Sequence, residues 1–168
     1  NAISFFEIFH LTAPDVFLDN HVSNGADYQH IITLVSSQHN KLGGIMGAYM
    51  HNKFEPGIFS LMKQKGYDMI PYVNHFGRAV DEGWQEFWDS PRYGSGYGSL
   101  WNSFCFVPET HMLKPYPQRV KATYALMQSF IEFTHTNADL ISKTREQAKQ
   151  QLKTQSQFPV KFVLDSTK

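Results

Sequence analysis

The sequence lacks the features that define several common classes of protein. It has a single cysteine, Cys105, which excludes an internal disulfide framework and a zinc cluster built from several cysteines. Its 15 Lys and Arg residues balance 15 Asp and Glu residues, so no net charge attracts nucleic acid or an anionic membrane surface. No apolar run approaches the roughly 20 residues that span a bilayer, so no membrane span is predicted.

What the chain has is the composition of one folded domain. Its 168 residues, 42% hydrophobic and 15% aromatic, are typical of a globular unit and not of a disordered segment. Residues 1–9 carry no initiator methionine and no signal-like segment, and the alternating segment 158–164 predicts a strand with no successor. We therefore predict that both termini are cuts through a longer chain.

Two short apolar runs predict buried strands, one around Val16–Leu18 and one over Phe104–Val107. Helical spacing predicts helices over residues 45–51, 56–65 and 118–141, whereas residues 26–42 fit either helix or strand. A glycine- and aromatic-rich loop is predicted over residues 81–102. Strands that alternate with helices predict an α/β architecture, in which sites form beyond the carboxyl ends of the strands.

A polar cluster follows each predicted strand, and the two clusters are expected to be neighbours in space. In the first, His21 suits a zinc ligand, and Asp19 lies on the same strand face, where it or a backbone carbonyl can orient the imidazole ring. The alternative is a turn histidine beside Asn24 and Gly25. In the second cluster, partial burial would raise the pKa of Glu109 so that it can shuttle a proton.

The alternative for Glu109 is a loop carboxylate near His111 or Lys114. The loop between the two clusters contains two phenols, Tyr93 and Tyr97, separated by glycines that let a loop move over a substrate. Its Arg92 could bind a carboxylate with two hydrogen bonds. The alternative for this loop is packed aromatic residues with a surface arginine.

Three segments together resemble one family, the zinc carboxypeptidases (carboxypeptidase A-like, or M14, metallopeptidases), in particular its bacterial branch. They are residues 14–29 (PDVFLDNHVSNGADYQ), 90–97 (SPRYGSGY) and 107–116 (VPETHMLKPY), in the family's order, and the resemblance runs over about residues 1–165. It implies a mixed, mostly parallel sheet flanked by helices. It also implies one zinc ion with His21 as a ligand, Glu109 as catalytic base and acid, and Tyr93, or else Tyr97, as the mobile tyrosine.

The family's His-x-x-Glu zinc motif and its Asn-Arg substrate motif have no counterpart in these residues. The resemblance therefore implies that residues 1–150 are the C-terminal part of a catalytic domain and that residues 151–168 are a linker and the start of a further strand. The partners it implies are a peptide substrate and the preceding part of the same domain, without which the chain is expected to be inactive. Because members of the branch are often exported, a periplasmic or secreted location is the expectation.

Two other functions stay open at this point. Related zinc amidohydrolases act on acyl-amino acids or cell-wall peptides, and Arg92 with the aromatic loop does not choose between these substrates. A non-catalytic binding module could instead have kept the fold and lost the metal. The substitution Glu109→Gln and a panel of peptide, acyl-amino-acid and cell-wall substrates separate these possibilities.

Overall fold

The computed structural model describes residues 2–23, 25, 27–74, 83 and 85–163 of the chain. Within them the chain forms six short strands and seven α-helices, with one π-helical turn between the third and fourth helices. The elements in chain order are α1 (Ala2–Thr12), β1 (Val16–Leu18), β2 (His21–Val22), β3 (Ile32–Ser36), α2 (His39–Leu42), α3 (Gly44–Tyr49), the π-helical turn (Met50–Phe54), α4 (Glu55–Gln64), β4 (Val73–Asn74), β5 (Gln85–Glu86), α5 (Gly94–Leu100), β6 (Phe104–Thr110), α6 (Tyr116–Thr136) and α7 (Ala138–Leu152).

The centre of the main sheet is β6, the longest strand. Both β1 and β2 pair with one side of β6 in parallel, and β3 pairs with its other side in antiparallel. A separate ribbon of two strands is formed by β4 and β5. The chain is thus an α/β protein with a mostly parallel open sheet flanked by helices, which confirms the fold class expected from the sequence.

The two faces of this sheet differ in chemistry. On the first, which we call the core face, Ile32 and Leu34 of β3 lie beside Phe104 and Phe106 of β6, and all four side chains are fully buried. The helices α3, α4 and α6 cover this face, and the rings of Phe54 and Phe130 each lie 4.8 Å from that of Phe106. Burial of apolar side chains is the dominant favourable contribution to folding, and the fully buried side chains of this face take part in it.

Helices α1 and α5 lie on the second face, which we call the polar face, at its β1 end. Phe9 of α1 and Phe17 of β1 form edge-to-face ring contacts there. Helix α5 approaches β6 closely, since a methyl group added at Gly98 would lie only 2.5 Å from Cys105 Sγ. Burial raises the pKa of the Cys105 thiol to about 12, which fits an unreactive core cysteine.

Helix α7 secures the start of β1 through one side chain. Arg145 is almost fully buried, and its guanidinium donates hydrogen bonds to Ala13 O at 2.8 Å, to Asp15 Oδ1 at 2.9 Å and to Asn102 O at 3.0 Å. A buried guanidinium is stable only where its donors are satisfied. This contact therefore holds the segments that precede β1 and β6 at a fixed distance.

The structure differs from the predicted elements at several points. The two helices predicted over residues 45–51 and 56–65 run together, because a π-helical turn carries the chain into α4. Pro56 is tolerated there because it lies in the first turn of α4, where its missing N–H costs no hydrogen bond. The helix predicted over 118–141 ends at Thr136, and a second helix follows at once. Part of the predicted loop over 81–102 forms β5 and α5, and residues 81, 82 and 84 of that loop lie outside the described residues.

The ambiguous segment 26–42 contributes β3. The strand predicted over residues 158–164 is not formed over 158–163, which have neither helix nor strand, and Leu164 lies outside the described residues. Of the helices that the structure describes, none has both the length and the apolar character that crossing a bilayer requires.

Candidate functional site

The structure brings the two polar clusters of the sequence together on the polar face. His21 is the register partner of Glu109 across the parallel pair of β2 and β6. Directly paired residues project to the same face of a sheet. His21 Nδ1 accordingly lies 3.7 Å from Glu109 Oε1, although the two residues are far apart in the sequence.

Asp19 occupies the other side of the same imidazole. Its Oδ2 atom lies 3.1 Å from His21 Nε2, and its backbone N–H donates to Phe106 O at 2.9 Å, which ties it to the central strand. A carboxylate on one ring nitrogen fixes the tautomer and the ring orientation. With Nε2–H directed at Asp19, His21 has the lone pair of Nδ1 available on the side of Glu109.

Glu109 is in an environment that disfavours its charge. Its side chain is 13% exposed, and its Oε2 atom is buried without a hydrogen-bond partner among the described residues. Burial raises the pKa of the Glu109 carboxyl above its usual range; His21 opposes this shift, and the negative charge of Asp19 adds to it. A raised pKa lets a carboxyl group hold a proton more readily, which suits it to general acid as well as general base catalysis.

His111 lies two residues beyond Glu109 and fixes the segment that follows β2. Its ring is fully buried, lies 4.2 Å from that of Tyr28 in a stacked contact, and has Nδ1 3.0 Å from Ser23 Oγ. Its backbone N–H donates to Ile31 O at 3.0 Å. Burial lowers the pKa of His111 to about 4, so the ring is neutral at physiological pH.

A wall of aromatic side chains extends from His111 along the polar face. The ring centroids of Tyr28 and Tyr72 are 5.8 Å apart, those of Tyr72 and Phe87 6.1 Å, and those of Phe87 and Tyr93 4.9 Å. Burial raises the pKa of Tyr72 to about 12, and the charges of Tyr28 and Glu109 contribute. The wall therefore lies within electrostatic range of the Glu109 carboxylate.

Tyr93 stands at the exposed end of this wall and immediately precedes α5. Its side chain is 43% exposed. The next residue, Gly94, lies against Asp19, since a methyl group added there would come within 3.1 Å of Asp19 Oδ2. The start of α5 is thus in contact with the carboxylate that holds His21.

The other two loop residues have different surroundings. Arg92 is exposed on the segment that leads to Tyr93. Tyr97 is in α5, where its hydroxyl lies 2.7 Å from His10 Nε2 and its ring contacts that of Phe6 at 4.4 Å. The structure therefore brings together Asp19, His21 and Glu109, and Tyr93 precedes Gly94, which lies against Asp19, whereas Tyr97 contacts Phe6 and His10 of α1.

Sequence reasoning missed Tyr28, Tyr72 and the buried role of His111. Tyr28 lies in the segment 26–42, whose pattern fits either helix or strand, and Tyr72 lies in the segment 69–74, whose pattern predicts only a short strand. The one available signal was the position of His111 in the polar cluster after β6. Its burial depends on Tyr28, which comes from a distant part of the chain.

The described residues contain no group of three or more His, Cys, Asp or Glu side chains placed to hold a metal ion. A comparison of the chain with protein-family profiles, with curated proteins and with solved structures gives no significant match. The geometry of the site is accordingly the basis for any statement of function.

Proposed function

We propose that this chain supplies one part of the active site of a zinc-dependent metallocarboxypeptidase, which hydrolyses peptide bonds. The observation that carries the proposal is the in-register pair of His21 and Glu109, with a ring nitrogen and a carboxylate oxygen 3.7 Å apart on one sheet face. The sequence resemblance to the zinc carboxypeptidases assigns these two residues the roles of metal ligand and catalytic carboxylate.

The arrangement around His21 fits a zinc ligand. Histidines that bind a metal commonly donate their other N–H to a carboxylate, as the 3.1 Å contact between Nε2 and Asp19 allows. Catalytic zinc sites use three protein ligands, however, and the described residues contain no group of three or more side chains that could hold the ion. In the proposal, a His-x-x-Glu pair from another segment of the same protein completes the site, and the isolated chain is inactive.

Glu109 is the proposed general base and acid. Bound zinc would lower the pKa of a water molecule and polarise the scissile carbonyl group. Glu109 would accept the proton of that water through Oε1 and pass it to the leaving amine. The raised pKa of Glu109 supports this role. A carboxyl with an ordinary pKa holds its proton too weakly to act as an acid, and a raised pKa makes it a better proton donor.

The exposed end of the aromatic wall, at Tyr93, and the neighbouring Arg92 are the proposed substrate contacts. Tyr93 is exposed enough to reach a bound peptide, and Arg92 precedes it on the same segment. A phenol there can donate a hydrogen bond to a developing oxyanion, and an arginine can bind a carboxylate. Tyr97 is the weaker candidate, because its hydroxyl is already in contact with His10.

The test is made on the intact protein that contains this chain. Glu109→Gln is expected to lower kcat for C-terminal hydrolysis of a peptide by about 10²–10⁴-fold, the size of a general acid–base contribution, while zinc content is unchanged. His21→Ala is expected to lower zinc content as well as activity. Glu132→Gln, at an exposed carboxylate on α6, is the matched control and is expected to keep both.

Hydrolysis within a few-fold of the wild type after Glu109→Gln would contradict the assignment. A panel of peptides, acyl-amino acids and cell-wall peptides identifies the substrate, and preference for one of the last two would make the protein a related zinc amidohydrolase. An intact protein that binds no zinc at micromolar concentration and hydrolyses none of these would be a binding module that kept the fold.

A further inference from the structure

Three neighbouring strands of the main sheet each place one polar residue in the same row of the polar face. Glu109 of β6 is the register partner of His21 on β2 and also of Thr33 on β3. Directly paired residues project to the same face of a sheet, so His21 and Thr33 flank Glu109 from opposite sides. The site described above uses only the His21 side of this row.

Thr33 is polar where the strand around it is apolar. Of the four buried residues of β3, Ile32, Leu34 and Val35 are apolar, and only Thr33 carries a hydroxyl group. The Thr33 side chain is fully buried, and its Oγ1 atom has no hydrogen-bond partner among the described residues. A buried hydroxyl that makes no hydrogen bond costs free energy, and valine has the same shape without that cost. The hydroxyl therefore indicates a polar contact on this side of Glu109.

Glu109 has the acceptor that this hydroxyl lacks. Its Oε1 atom lies 3.7 Å from His21 Nδ1, on the β2 side, whereas its Oε2 atom is buried and makes no hydrogen bond to any residue that the structure describes. Directly paired residues of antiparallel strands have Cβ atoms about 5 Å apart. A threonine hydroxyl and a glutamate oxygen at this separation are within reach of one water molecule placed between them.

We propose that Thr33 is a positioning residue for Glu109, and that one buried water molecule links its hydroxyl to Glu109 Oε2. The hydroxyl of Thr33 donates to the water, and the water donates to Oε2, so both buried atoms are satisfied. A carboxylate that is anchored through one oxygen keeps a fixed plane. Oε2 therefore stays on the β3 side, and Oε1 stays directed toward His21.

The consequence for catalysis rests on the function proposed above, in which Glu109 Oε1 accepts and passes on a proton. Thr33 touches no substrate in this scheme and acts only through Glu109. Proton transfer depends on the position of the base to within a fraction of an ångström. Loss of the anchor is therefore expected to lower the rate of the chemical step and to leave substrate binding unchanged.

The first test measures the link between the two side chains and does not depend on any activity. Thr33→Val is made in the full chain, in the wild-type background and in the Glu109→Met background, and the urea midpoint of unfolding is measured for each. We expect Thr33→Val to lower the midpoint in the wild type, where Oε2 loses its donor. In Glu109→Met we expect it to raise the midpoint, because the hydroxyl that it removes has lost its acceptor.

The matched control for the first test is Thr144→Val, at a buried threonine of α7, which is expected to shift the midpoint equally in both backgrounds. Equal shifts for Thr33→Val in the two backgrounds would overturn the proposal. If Glu109→Met does not fold, Glu109→Leu replaces it as the background without a carboxylate. The comparison and its decisive outcome stay the same.

The second test measures peptide hydrolysis by the intact protein that contains this chain. Thr33→Val is expected to lower kcat by about 10–100-fold with unchanged KM and zinc content, the size of effect seen when an outer contact of a catalytic group is removed. Thr33→Ser keeps the hydroxyl but loses a buried methyl group, and we expect it to keep kcat within about two-fold. A purely structural role would instead make activity follow stability in both variants.

The two tests separate failure of this proposal from failure of the proposed function. A wild-type protein that hydrolyses no peptide contradicts the proposed function, and the urea midpoints then decide alone whether Thr33 anchors Glu109. A wild-type protein that is active and loses activity with Glu109→Gln, yet keeps full kcat with Thr33→Val, supports the function and overturns the role of Thr33.

Discussion

The two faces of the central sheet are made from the same strands but follow opposite rules. Along β6, Phe104, Phe106 and Pro108 alternate with Cys105, Val107 and Glu109, so each face receives every second side chain. The core face is mostly apolar, with Ser36 and Thr110 at its edge, and is covered by three helices. The polar face has partly buried groups whose charge is disfavoured.

This difference indicates where stability and function are located in the molecule. Each side chain on the core face lowers the free energy of folding by leaving water. Glu109 and His111 do the opposite, since each is held where its charged form is costly, as their shifted pKa values indicate. Residues that violate the rules of a stable core tend to lie at functional sites, and on this molecule they lie together on one face.

The largest effect is expected from breaking the core face. Phe106→Ala removes a fully buried ring that contacts Phe54 and Phe130, and we expect it to lower the free energy of unfolding by about 3–5 kcal/mol. Urea denaturation followed by circular dichroism measures this change. Phe158→Ala, at an exposed ring, is the control and should change stability by less than about 0.5 kcal/mol. A loss below about 1 kcal/mol for Phe106→Ala would mean that the core face is not tightly packed.

A smaller effect is expected from protonation on the polar face. Burial, with help from Lys114 and His30 and against the charge of Asp27, lowers the pKa of His111 from 6.5 to about 4. Between pH 6.5 and 4 the unfolded chain therefore binds more protons than the folded one. The stability that neutral His111 contributes is fully present above pH 6.5 and is lost as the pH falls toward 4, by up to about 3 kcal/mol.

Urea denaturation at pH values between 7 and 4 measures this loss, and His111→Gln is expected to reduce its slope. His135→Gln, at an exposed histidine, is the matched control and should leave the slope as it is in the wild type. An unchanged slope in His111→Gln would show that other groups cause the pH dependence.

The sequence was informative wherever the determinants were local. Short apolar runs between turn residues predicted β1 and β6, and the polar residues that follow them predicted that His21 and Glu109 are neighbours. The two-residue spacing of a strand also placed Asp19 on the side of His21. These predictions depend on strand periodicity and on the position of sites in α/β sheets, and neither requires knowledge of distant contacts.

The sequence was not informative where distant contacts decide the structure. Residues 94–98 are rich in glycine, which favours a loop, yet they begin α5. The helix forms because glycine permits close packing: Gly96 lies directly against the carbonyl groups of Asp89 and Ser90, and Gly98 against Cys105. The aromatic wall was missed for a similar reason, because its members come from four separate segments.

The smallest expected effect is a gain of stability when the proposed catalytic carboxylate is removed. Glu109→Gln keeps the shape of the side chain but removes a buried negative charge, and we expect the free energy of unfolding at pH 7 to rise by about 1 kcal/mol, because a neutral amide costs less to bury than a carboxylate. Because the pKa of Glu109 is raised in the folded state, ionised Glu109 costs stability above its unfolded pKa, and the cost vanishes as the pH falls below about 4.5. Urea denaturation at pH 7 and pH 4 should therefore give a gain only at the higher pH, and the control Glu7→Gln, at an exposed carboxylate on α1, should give none at either. Destabilisation by Glu109→Gln at pH 7 would mean that the ionised carboxylate holds the polar face together, and the contrast between the two faces would then be wrong.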